Sequence, residues 1–122
     1  MKVRGIEVMN QDIDDIMVSA LEGGINYWCD EAVVVGDYLG AFASEQISRG
    51  GILKLHDREE DEWYVLTKEK VMKGIERLLE TRIGETAVDE DDDGKYLDPG
   101  NVDGLMADTI VQYALFNECV YA

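Results

Sequence analysis

Basic side chains, proline, histidine and cysteine are all scarce in this chain, and each scarcity excludes something. Eleven lysines and arginines stand against 27 aspartates and glutamates among 122 residues, for a formal net charge of −16. A protein that grips nucleic acid needs a basic footprint, and so does one that settles on anionic lipid. Neither is present. The two cysteines, Cys29 and Cys119, are too few for a disulfide framework or a zinc site, and in the cytosol they stay reduced. His56 is the only histidine and Pro99 the only proline. No run of 18 apolar residues exists to span a bilayer. Met1–Met9 carries Lys2, Arg4 and Glu7 with no apolar stretch, so it does not read as a signal peptide. What remains is a cytoplasmic domain of ordinary size, apolar enough at 46% to build a core.

Charge is unevenly placed. Residues 1–80 and 81–122 each carry a net charge of −8, although the second segment is about half as long. Its densest part, Glu85–Asp103, has eight acids against Lys95 alone and contains Gly94, Pro99 and Gly100. It reads as an acidic loop, centred on about residues 82–100, within a single domain of residues 1–122.

Periodicity supplies the elements. Val3–Val8 suits a short strand. Ile13, Ile16, Met17, Ala20 and Leu21 recur at helical spacing behind an Asn10 cap, with Gly23 and Gly24 as a positive-φ stop. Glu31–Val35 is β-branched and reads as a strand. Tyr38–Ser48 shows a partial stripe of Leu39, Phe42, Ala43 and Ile47 and predicts a second helix. Ile52–His56 and Glu62–Leu66 alternate around the charged turn Asp57–Asp61, which predicts a β-hairpin. Thr67 caps a helix with the face Val71, Ile75, Leu78 and Leu79. A last helix is expected over about Asp103–Phe116, with Met106, Ile110, Tyr113 and Ala114 inward, then a strand at Cys119–Tyr121. The class is α+β: three or four helices packed on a small, mostly antiparallel sheet.

Four patterns bear on chemistry. Asp89, Asp91 and Asp93 before Gly94 match the opening of a calcium-binding EF-hand loop, but the twelfth position, where a bidentate glutamate closes such a site, is Gly100. These three are weak metal candidates, and no metal or other cofactor is expected. His56 lies beside Asp57, whose side chain should point to the opposite face, and no nucleophile–base set accompanies it. No catalytic residue is therefore assigned, and the chain reads as no enzyme. In Tyr27-Trp28, two large aromatics sit together; they pack under the sheet or, with Arg49 for a phosphate, form a nucleotide pocket. Finally, Asp57, Glu59, Glu60, Asp61 and Glu62, together with Asp89, Glu90, Asp91, Asp92 and Asp93, concentrate carboxylates in two segments. Dense, ordered acids of this kind imitate phosphates and fit a basic groove.

The segments Ala20–Cys29, Gly36–Gly40, Ala43–Gly51 and Leu53–Asp57 resemble a group of small acidic proteins encoded by phages and prophages of Gram-positive, often gut, bacteria. The resemblance covers roughly residues 10–80 and the C-terminal helix and carries no catalytic residue across. It implies a setting in the host bacterial cytosol, where small accessory phage proteins act by binding and often block a defence system. Two expectations follow. One is a non-enzymatic, anti-CRISPR-like inhibitor of a host defence nuclease. It would occupy that protein's basic groove through Glu59, Glu60, Asp61, Glu62, Asp89, Asp91, Asp92 and Asp93, without touching nucleic acid or membrane. The other is a binder that sequesters a nucleotide defence signal through Tyr27, Trp28 and Arg49.

Overall fold

Left-handed backbone at Arg4 (φ 52°) and Gly5 (φ 78°) folds the N-terminus back on itself, so the expected single strand is a tight hairpin of β1 (Lys2–Val3) and β2 (Ile6–Glu7). In this computed structural model, which describes residues 1–122, β2 runs parallel to β7 (Gly94–Leu97), and β7 pairs antiparallel with β6 (Val88–Asp91). The first sheet is thus ordered β1-β2-β7-β6. The second is antiparallel, β3 (Cys29–Val35), β4 (Ile52–Asp57) and β5 (Glu62–Leu66). Four helices complete an α+β domain: α1 (Asn10–Ser19), α2 (Lys68–Leu79), α3 (Arg82–Glu85) and α4 (Gly104–Phe116). One sheet was expected, and two are present.

The buried core joins Ile13, Ile16 and Met17 of α1, Val71, Ile75 and Leu78 of α2, Ile110 and Val111 of α4, and Leu53, Leu55 and Leu66 of the second sheet. Helix α2 follows its sequence signals. Thr67 Oγ1 accepts the Lys70 N–H at 3.3 Å, and all four expected face residues are buried. Its Gly74 lies against α4 so closely that a Cβ there would sit 2.3 Å from the Ile110 carbonyl oxygen.

Elsewhere the sequence reading needs correction. Met9, not Asn10, caps α1, and its N–H donates to Asp12 Oδ2 at 2.7 Å. The helix does not stop at Gly23-Gly24 on positive φ; it widens into a π-turn over Ala20–Gly24. Gly24 is needed for proximity instead, since a Cβ would stand 2.5 Å from the Gly104 carbonyl oxygen. Tyr38–Ser48 is not a helix but a series of bends with one 3-10 turn at Ala43–Glu45. There, side chains take the backbone groups that a helix would use. Glu45 Oε1 accepts the N–H of Ala41 (3.0 Å) and Phe42 (3.1 Å), and Gln46 bonds Leu39 N–H and Asp37 C=O. Phe42 is left 70% exposed.

Of the inward face expected on helix α4, Ile110 is buried, and the rest of the buried face differs. Ala107, Asp108, Ile110, Val111 and Gln112 are buried, whereas Met106, Tyr113 and Ala114 are half-buried. The helix is apolar nearly all round, so spacing alone did not select the face, and the two polar residues are drawn in by hydrogen bonds described below. The tail Cys119–Tyr121 is not a strand, and the acidic segment 82–100 is not a loop: it holds α3 and the β6–β7 hairpin.

Candidate partner-binding surface

Both acidic segments are the tips of β-hairpins. In β4, alternation sends Leu53, Leu55 and Asp57 inward and Ile52, Lys54 and His56 outward. Asp57 is 1% exposed, so it leaves the set of available surface acids and becomes the anchor of the turn that follows. Its Oδ1 accepts the N–H of Glu59 (2.9 Å) and of Glu60 (3.4 Å), and its Oδ2 takes the Tyr121 hydroxyl. The phenol of Tyr121 is held well above its ordinary range, first by that hydrogen bond and then by burial. The C-terminal tail thus fixes the turn from beneath while Glu59, Glu60, Asp61 and Glu62 point to solvent.

The tail is itself fixed by α4. Gln112 Oε1 accepts the N–H of Val120 and of Tyr121, both at 2.8 Å, and its Nε2 donates to Tyr121 C=O at 3.1 Å. The same Nε2 donates to Asp108 Oδ1 at 2.9 Å. Asp108, also buried, accepts the Trp28 indole N–H at 2.8 Å and the Tyr27 hydroxyl at 2.6 Å. Burial and these contacts push the Tyr27 phenol up to about 12. Trp28 is fully buried, stacked on Tyr121 with ring centroids 5.5 Å apart. It therefore offers no face to a base and follows the packing reading, whereas Tyr27 is 38% exposed, with its hydroxyl held by Asp108.

Arg49 is exposed and pairs with Glu45 at 3.3 Å. The depressions in the surface offer an anion little. One, about 590 Å³ and open, is lined by Tyr27, Glu22 and Asp108 with no basic residue. Another, about 460 Å³, sets Lys2 and Lys95 among Glu7, Asp12, Asp91, Asp93 and Asp98.

The second acidic segment also departs from the loop reading. Asp89, Glu90 and Asp91 lie on β6, an edge strand, and Asp92-Asp93 make the turn into Gly94 (φ 119°). Asp91 Oδ1 accepts the Asp93 N–H at 2.8 Å, and Asp89 Oδ1 accepts the Glu90 N–H at 2.9 Å. The hairpin replaces the wrapped loop that an EF-hand needs, and no three His, Cys, Asp or Glu side chains converge on a metal position. Lys95 faces Glu90 across the ladder, whereas Asp89 faces Tyr96 and Asp91 faces Gly94, so these two aspartates have no cationic partner in the pairing. The field is felt locally: Asp89, more than any other group, raises the phenol of Tyr96. The two acidic tips belong to different sheets and share no strand pairing.

His56 holds a third cluster. Its Nδ1 lies 2.6 Å from Asp30 Oδ1 and its Nε2 2.8 Å from Asp61 Oδ1, with the Trp63 ring tilted against it at 4.9 Å. Two carboxylate partners require a proton on both ring nitrogens. The imidazole value is accordingly raised, chiefly by Asp30 and then by Asp61.

Compared with protein-family models, curated proteins and solved structures, the chain gives no match. No helix is long and apolar enough to cross a membrane.

Proposed function

We propose that this protein is a non-enzymatic inhibitor that presents ordered carboxylates to the basic, nucleic-acid-binding groove of another protein. The observation that carries the reading is that both acidic tips are fixed by aspartates accepting backbone N–H groups, Asp57 in one and Asp91 in the other. Charge on a mobile loop would have to be ordered on binding, at roughly 1–2 kcal/mol per residue; here much of that order is built in.

The phage-type resemblance makes a host defence nuclease in the bacterial cytosol the partner class. Edge protection is the competing explanation of the β6 acids, since charged edges discourage strand pairing. It does not account for the anchored β4–β5 tip. The nucleotide-sequestering alternative draws no support from a buried Trp28 and an Arg49 already paired with Glu45.

The test is competition. With a defence nuclease and its duplex, the wild-type protein should displace nucleic acid, and its association rate should fall at least about tenfold from low to physiological salt. Replacing Glu59, Glu60, Asp89 and Asp91 by lysine should abolish displacement. Displacement that survives this reversal sinks the proposal.

A further inference from the structure

Three of the four sheet edges are guarded against pairing with another chain. β1 is two residues long, β6 carries three acids, and on β5 the Lys70 ammonium covers the Val65 carbonyl at 2.7 Å. The fourth edge, β3, carries such devices only at its start, where Asp30, Glu31 and a bulge lie, and none over Ala32–Val35. It is seven residues long, ends in Ala32-Val33-Val34-Val35 and carries no lysine or proline. Outside its ladder with β4, no backbone group of Ala32–Val35 makes a hydrogen bond. Side chains are open too. Ala32 is in register with buried Leu55 yet is itself exposed, because nothing covers the inner face at this edge. A depression of about 420 Å³ lies there, between Leu21, Ile25 and Asn26 on one side and Cys29–Ala32 on the other.

We infer that the β3 edge is a binding site for an extended, basic peptide segment of another protein, which adds to the second sheet as a fourth strand. Backbone pairing would supply the affinity and alternate side chains the selectivity. The chemistry of those side chains follows from the edge. The bulge between Cys29 and Glu31 brings Asp30 as well as Glu31 to the outer face, where Asp30 meets His56 and Glu31 pairs with it in the ladder. A lysine or arginine on the outer face of the added strand meets these two acids. Its inward neighbours are small and apolar, to enter the depression beside Ala32. A second copy of the chain fits poorly: β3 has no basic residue to meet Asp30 and Glu31, and each copy brings a charge of −16. The inference rests on strand pairing and does not depend on the phosphate-mimic reading.

The probe is a blocked peptide of alternating lysine and valine, long enough to cover β3, followed by amide hydrogen exchange on the intact protein. At about ten times its dissociation constant it should slow exchange of the outward amides within Ala32–Val35 about tenfold. Methylating every second peptide nitrogen in the register that faces β3 should abolish the effect, and methylating the other register should not. Glu31→Lys and Val33→Lys, both at exposed positions, should each weaken binding at least about tenfold while leaving the melting temperature near wild type. Equal binding of the two methylated peptides would show attraction without strand addition and overturn the inference. So would unchanged exchange at Ala32–Val35, or a dimer in sedimentation that Val33→Lys dissolves.

Discussion

Replacing Asp57 by alanine should loosen the acidic β4–β5 tip and weaken partner binding, through one buried carboxylate. The wild-type side chain accepts from Tyr121 Oη, Glu59 N–H and Glu60 N–H. A hydrogen bond to a charged group is worth roughly 1.5–3 kcal/mol net, and a buried polar group left without a partner costs about 1–3 kcal/mol. The two turn N–H groups belong to exposed residues and can turn to water, so most of the loss falls on the Tyr121 hydroxyl. The expected destabilisation is about 2–4 kcal/mol. For a domain of this size that corresponds to a fall in Tm of roughly 8–15 °C. Urea unfolding should show a lower midpoint at unchanged slope. Amides of Glu59 and Glu60 should exchange faster than the rest of β4 and β5. Binding should weaken by about tenfold or more, because the partner must then order the tip. Asp57→Asn keeps an acceptor for the turn and should recover much of the loss. A stability change under about 0.5 kcal/mol with unaltered exchange at the tip would refute the reasoning.

Asp108→Ala leaves the fully buried Trp28 indole N–H without its partner and should cost about 2–4 kcal/mol, read by urea unfolding followed through tryptophan fluorescence. The His56 clasp titrates the opposite way from a buried acid. Because its folded value is raised above 6.5, its contribution is fully present below pH 6.5 and is lost as pH rises through the folded value. His56→Gln should therefore reduce thermal stability below pH 6.5 and converge with wild type at higher pH. The groups that set this behaviour are Asp30 and Asp61 at the ring nitrogens; Glu31 stands opposite His56 on β3. Millimolar calcium should leave Tm unchanged, since Asp89, Asp91 and Asp93 stand on a hairpin rather than around a cation position.

Legibility in the sequence followed the range of the interactions. Helix α2 and the β4–β5 hairpin are set by neighbours: Thr67 three residues before Lys70, and alternation through Leu53, Leu55 and Asp57. The segment 38–48 misled because Leu39, Phe42, Ala43 and Ile47 have helical spacing, while Glu45 and Gln46 spend their side chains on local backbone groups. The β6–β7 hairpin was hidden by acids that β propensity disfavours, and β7 finds its partner in β2, far off in the chain. The acidic tips were visible as charge, yet the order of the β4–β5 tip was not, because it depends on Tyr121 acting 64 residues away on Asp57. Asp108 and Gln112 were missed altogether, since Tyr27 reaches Asp108 across 81 residues. One signal was available: the period of two that buries Leu53 and Leu55 also buries Asp57, and a buried aspartate in a hairpin turn announces an anchor.

The most direct measurement is binding of the wild-type protein to a nucleic-acid-binding defence nuclease, with duplex as competitor, across a salt series. Mutually exclusive binding that weakens steeply with salt, and is lost on charge reversal at Glu59, Glu60, Asp89 and Asp91, is the predicted result. Binding that tolerates the duplex, or that is indifferent to salt and to these four carboxylates, would contradict the account.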